Sequence, residues 1–152
     1  MHTLSVRLGL MTLLALVLTA VSAAEPDPTV MSHKLPGDLK WTDSAEYPGL
    51  KSVVLYGDPT KPGPYAIRNR FSAGVMSRPH THNTDRFVVV VSGTWWMGTG
   101  EKFDPASTKA APTGSTAVHF AGKVHYDGAK DEACEVIIYG MGPVTSTRVG
   151  AK

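Results

Sequence analysis

The chain has few of the features that would mark a disulfide scaffold, a nucleic-acid binder or a helical protein. Cys134 is its only cysteine, so no intramolecular disulfide can form. It lies in the strand-like run Ala133-Cys134-Glu135-Val136-Ile137-Ile138-Tyr139, with no histidine or basic residue adjoining it to stabilise a thiolate. It is expected to be a small buried hydrophobe. Charge is balanced, with 15 Lys and Arg against 13 Asp and Glu. No basic block or stripe occurs, which removes the electrostatic footprint of a nucleic-acid partner. Beyond the N-terminal stretch no window of helical length keeps a 3.6-residue apolar period, which argues against a helical fold. Nor does a second apolar run of membrane-spanning length follow.

The N-terminal stretch itself has a targeting pattern. Arg7 supplies a short positive region, Leu8 to Ala20 is uncharged and apolar, and Val21-Ser22-Ala23-Ala24 offers small residues for cleavage. A spanning helix needs ~20 apolar residues, and this run is shorter. Residues 1–24 are therefore expected to be a signal peptide, cleaved after Ala23 or Ala24, and the protein to be exported to a periplasmic or secreted location without a stable membrane anchor. Without Arg7 the chain keeps 14 Lys and Arg against 13 Asp and Glu, so the basic isoelectric point says little about a partner.

What is abundant is turn chemistry. Glycine and proline recur about every ten residues, and short β-branched and aromatic runs lie between them. Residues 50–56, 65–71, 86–91, 94–98, 115–120, 124–127 and 134–139 read as strands. Tyr65 to Phe71 alternates like a half-buried strand, with Arg68 and Arg70 on its solvated face. Arg86 to Val91 is apolar on both faces after its first residue and predicts a central strand. Residues 98–113 form a long polar excursion. The pattern is that of an all-β sandwich or barrel: an irregular lead-in over residues 25–45 in which Trp41 packs onto the domain, a barrel over 46–145, and a short tail over 146–152. A chain of this size can bury an ordinary core in one domain.

The chemistry gathers on histidine. His80 and His82 flank Thr81, and in an extended strand residues i and i+2 face the same way. Neutral imidazole is the commonest metal-ligating side chain. A third imidazole from another strand, His125, completes a three-nitrogen site with open positions. Gly74 precedes His80 by six positions, Arg86 follows His82 by four, and Gly93 follows Arg86 by seven. Downstream, Gly114, Phe120, Gly122, His125 and Ala129 make a second spaced set. The glycines at 74, 93, 114 and 122 fall at strand ends, where tight turns favour positive φ. Trp95 and Trp96 occupy adjacent strand positions, so one faces in and one out. Tyr126 points away from His125 in a regular strand. His119 is six residues from His125, but Gly122 breaks the strand between them, so it is expected to be structural or to support the ligands from behind. His33 lies in the lead-in and is expected to be exposed.

These two spaced sets resemble the paired motifs of the cupin family, over roughly residues 50 to 143. The resemblance implies a double-stranded β-helix, the jelly-roll barrel, and a divalent metal (Fe, Mn, Zn or Ni) held by His80, His82 and His125. It departs at one place, since Arg86 stands where the family has a glutamate ligand. A guanidinium stays protonated and cannot ligate. Two alternatives follow. Asp85 swings in as a fourth ligand, although strand phase turns it away, or the site has three histidines, with Arg86 as a charge stabiliser for an anionic substrate. A pocket that binds no metal is the bland third case. A small-molecule oxygenase or isomerase, or a non-catalytic ligand- or metal-binding module, fits this pattern, and an open strand edge would allow a homodimer.

Overall fold

The computed structural model describes residues 24–150. The expected signal peptide lies, but for Ala24, outside them. The described residues fall into two units, 24–34 and 35–150. In the first, Asp27 closes a turn by accepting from the backbone and hydroxyl of Thr29, and the exposed His33 pairs with Glu25 at 3.4 Å.

The second unit is built of two antiparallel sheets, with no α-helix among the described residues. The strands in chain order are β1 (Thr42–Asp43), β2 (Leu50–Tyr56), β3 (Gly63–Phe71), β4 (His80–His82), β5 (Arg86–Ser92), β6 (Thr94–Thr99), β7 (Lys109–Pro112), β8 (Thr116–His119), β9 (His125–Gly128), β10 (Cys134–Gly142) and β11 (Ser146–Arg148). A six-stranded sheet runs β1-β2-β3-β10-β5-β8 and a five-stranded one runs β11-β4-β9-β6-β7. Strand alternation fills the space between them. Val88, Val90, Val136 and Ile138 face inward with Phe71, Trp95 and Cys134, and each large apolar side chain buried this way contributes ~1.5–3 kcal/mol. Cys134 is fully buried, and burial pushes its thiol up to about 12, as suits an inert core residue.

Two expectations need correcting. The tail begins with a strand, because Ser146–Arg148 pairs along the whole of β4. The polar excursion hides β7, a four-residue edge strand paired with β6. The central position expected of β5 holds, since it is paired on both sides, with its outward residue Phe87 44% exposed. On that outer face Arg68 and Arg70 both pair with Glu135, and Arg70 stacks over Trp41 at 4.4 Å. Trp95 faces the core and Trp96 the outside, under the ammonium of Lys130.

All four motif glycines have positive φ. At Gly93 (φ +66°) a Cβ would also sit 2.3 Å from the Ala133 carbonyl oxygen, whereas at Gly74 (φ +79°) it would meet nothing within 4 Å among the described residues. Gly93→Ala and Gly74→Ala should each cost about 1–2 kcal/mol for the left-handed backbone. Gly93→Ala should cost measurably more, because a backbone oxygen has to move. Urea unfolding of the two variants checks this, and equal losses would contradict it.

Candidate metal centre

The short strand β4 lies between β11 and β9, and its two histidines point inward while Thr81 points away. His125 opens β9 directly opposite His80 in the antiparallel register. The cross-strand pair and the i, i+2 pair therefore bring three imidazoles to one place. Their ring centroids are 4.5 Å (His80–His125), 4.8 Å (His80–His82) and 5.3 Å (His82–His125) apart. One ligand nitrogen from each lies within 4.8 Å of the others, and all three residues are buried.

Hydrogen bonds fix the tautomers. His80 Nδ1 donates to the Arg78 carbonyl at 2.7 Å, His82 Nδ1 to that of Thr145 at 3.1 Å and His125 Nδ1 to that of Lys123 at 3.0 Å. A carbonyl only accepts, so each proton sits on Nδ1 and each Nε2 keeps a lone pair. The Nε2 atoms of His82 and His125 are buried and have no hydrogen-bond partner among the described residues. Buried polar atoms are normally satisfied, so these two mark a place built for something else. Three imidazoles with backbone partners behind them suit a divalent first-row cation.

The connecting loops hold this arrangement. The Thr145 amide donates to Asn83 Oδ1 and the Asn83 side chain to the Pro143 carbonyl, which ties the segment behind His82 to the end of β4. The Gly122 amide donates to the His82 carbonyl, drawing the loop before His125 against the same strand.

Arg86 enters from the facing sheet. It is buried, its Nη2 donates to His119 Nδ1 at 3.3 Å, and its Nε has no partner among the described residues. Since guanidinium only donates, His119 must accept at Nδ1 and carry its own proton on Nε2. That is the opposite tautomer to the triad, and it makes His119 a donor instead of a ligand. Its Nε2 faces Asp127 Oδ2 at 3.9 Å, and its ring lies against that of His125, with centroids 3.8 Å apart and planes tilted by 32°. Asp85, the candidate fourth ligand, lies outside the cluster: it is exposed, and its Oδ1 accepts from the Ala121 amide at 2.7 Å.

Asp127 was not among the expected site residues. It is two places after His125 and therefore on the same strand face, a signal present in the sequence. Its Oδ1 accepts from the indole of Trp95 at 3.2 Å. Burial raises its pKa, but His119, His125, His80 and Arg86 together outweigh burial and hold it below the usual carboxylate range. Asp127 is thus the buried anion that answers Arg86. A cavity of about 180 Å³ opens beside His119 and His125, with Met97, Ala117, Phe120 and Val124 giving it largely apolar walls.

No protein-family model and no curated protein matches the chain. Solved structures do match. The polyketide cyclase RemF from Streptomyces resistomycificus aligns with a TM-score of 0.68 at 13% identity, over 80% of this chain and 87% of that one. A cupin-like protein from Thermotoga maritima aligns with a TM-score of 0.58 at 17% identity, over 72% and 85%. A proposed acetylacetone dioxygenase from Methylibium petroleiphilum aligns with a TM-score of 0.57 at 18% identity, over 77% and 81%. The chain has the cupin fold. At these identities the likeness fixes the architecture of the chain and leaves its chemistry to its own residues.

Burial pulls His82 and His119 down to about 3, with Arg86 acting in the same direction on both, and it also lowers His125. These rings are neutral in the folded protein, whereas in the unfolded chain they take up protons below about 6.5. Their contribution is complete above that pH and is lost as pH falls from there toward 3. The urea midpoint of the metal-free protein should therefore drop steadily below pH 6.5, and His82→Gln should flatten part of the slope. A midpoint that stays constant down to pH 4 would contradict the neutral assignment.

Proposed function

We propose that this chain is a metal-dependent cupin in which His80, His82 and His125 hold a divalent first-row metal, Fe, Mn, Zn or Ni, and that it transforms a small oxygenated molecule by oxygenation or isomerisation. The observation that carries the reading is the shared tautomer of the triad, with three Nδ1–H groups committed to carbonyls and the buried Nε2 atoms of His82 and His125 left without partners. A metal bound by three protein nitrogens supplies Lewis acidity and open positions for substrate oxygen. Around it, the chain's own groups divide the work. The carbonyls of Arg78, Lys123 and Thr145 orient the ligands. Arg86 stabilises negative charge on a bound oxygen. The apolar walls beside His119 and His125 exclude water. Two neighbours of the same fold carry the names polyketide cyclase and acetylacetone dioxygenase, which makes enolisable oxygenated compounds the class to test first. Export through residues 1–24 belongs to the same proposal.

Full-length protein purified from metal-supplemented medium should carry close to one equivalent of metal by elemental analysis. His80→Ala should lower metal affinity by more than tenfold, since even residues supporting a ligand cost roughly 10–100-fold. Wild-type protein without stoichiometric metal would overturn the assignment. Metal without oxygen uptake or isomerisation across an enolisable panel would leave a metal-binding module in place of an enzyme.

A further inference from the structure

Tyr65 was not weighed as a site residue, yet it belongs to a single row across the inner face of the six-stranded sheet. Tyr65 on β3 pairs with Gly140 on β10, Gly140 pairs with Arg86 on β5, and Arg86 pairs with His119 on β8. Gly140 supplies no side chain, and the Tyr65 ring occupies its place: a Cβ on Gly140 would lie 2.8 Å from the Tyr65 hydroxyl oxygen and 2.9 Å from the ring carbon bearing it. The phenol thus reaches along the row to Arg86: burial raises the Tyr65 pKa, and the charge of Arg86 and its hydrogen bond to the hydroxyl draw it down. Tyr65 is 2% exposed and Arg86 9% exposed. Arg86 hydrogen-bonds the Tyr65 hydroxyl; a guanidinium only donates, so the phenol oxygen accepts and its own O–H remains to be given. Arg86 Nε is likewise buried with no partner among the described residues, and buried donors left over in a core cost stability unless something receives them. The far end of the row, His119, lies against His125 and lines the cavity beside the triad, and Arg86 is close enough to His82 and His125 for its charge to act on both.

We propose that the Tyr65 hydroxyl and Arg86 Nε form a receptor for an anionic oxygen of the substrate, so that the site selects small carboxylates or enolates that place one oxygen on the metal and another on this donor pair. The inference rests on the metal reading above. It assigns Tyr65 a binding role and gives the substrate a negative charge. The cavity volume restricts that substrate to a small molecule.

The test uses full-length protein loaded with Co(II), acetate as the probe anion, acetamide as its neutral counterpart, and the visible ligand-field spectrum as readout. Wild type should bind acetate and discriminate against acetamide. Tyr65→Phe should bind acetate at least about tenfold more weakly, the scale of a hydrogen bond to a charged group, with Co(II) affinity unchanged. Arg86→Lys, which keeps the charge but loses Nε–H, should weaken acetate similarly. Co(II) binding with no acetate response, or with equal acetate affinity in wild type and Tyr65→Phe, overturns this inference and leaves the metal reading standing. Failure of wild type to bind Co(II) overturns both.

Discussion

Three hydrogen bonds from imidazole Nδ1 to backbone carbonyls set the orientation of everything else in the interior. Two of the three are local in origin. His80 and His125 reach the carbonyls of Arg78 and Lys123, two residues behind them, and His82 reaches Thr145 in the segment before β11. None depends on another side chain, so the triad is positioned by the strands themselves. This also explains why β11 matters. It runs the length of β4, and the loop leading into it carries the carbonyl that holds His82. The last strand is part of the site's frame although it contributes no ligand.

A second constraint is charge. Taking a guanidinium out of water costs several kcal/mol unless it is answered, and Arg86 is buried facing three histidines that burial keeps neutral or nearly so. The answering charge is Asp127, which shares a strand face with His125. The hydrogen bond from Arg86 to His119 then fixes that ring in the tautomer opposite to the triad's. One substitution relative to the cupin pattern thus carries three consequences. It removes a carboxylate ligand, it requires a buried anion elsewhere, and it turns a fourth histidine into a donor.

Much of this was legible in the sequence. Glycine and proline spacing located the strands, and the four motif glycines do take positive φ, because backbone requirements of tight turns are local. The strand phase that turned Asp85 away from His82 is also local, and Asp85 is exposed. What was not legible depends on register between distant segments. β7 and β11 are short and polar, and they become strands only because β6 and β4 offer them an edge. Asp127 had a local signal, two places from His125, but its importance rests on Trp95 and His119 arriving from other strands. Tyr65 had none. Its position opposite Gly140, and the position of Gly140 opposite Arg86, follow only from the pairing of β3, β10 and β5.

These constraints make the interior electrostatically one-sided. A divalent cation in the triad, together with the Arg86 guanidinium, would place three positive charges against the single carboxylate of Asp127, whereas a glutamate at position 86 would have left two against two. In a low-dielectric cavity that imbalance is expensive. It would be relieved most directly by an anion that enters with its own negative charge and meets both the metal and the donors of Tyr65 and Arg86 opposite it. The same arginine that deprives the site of a protein carboxylate therefore favours a carboxylate or enolate from outside, and the ligand missing from the chain becomes the oxygen that its substrate is built to bring.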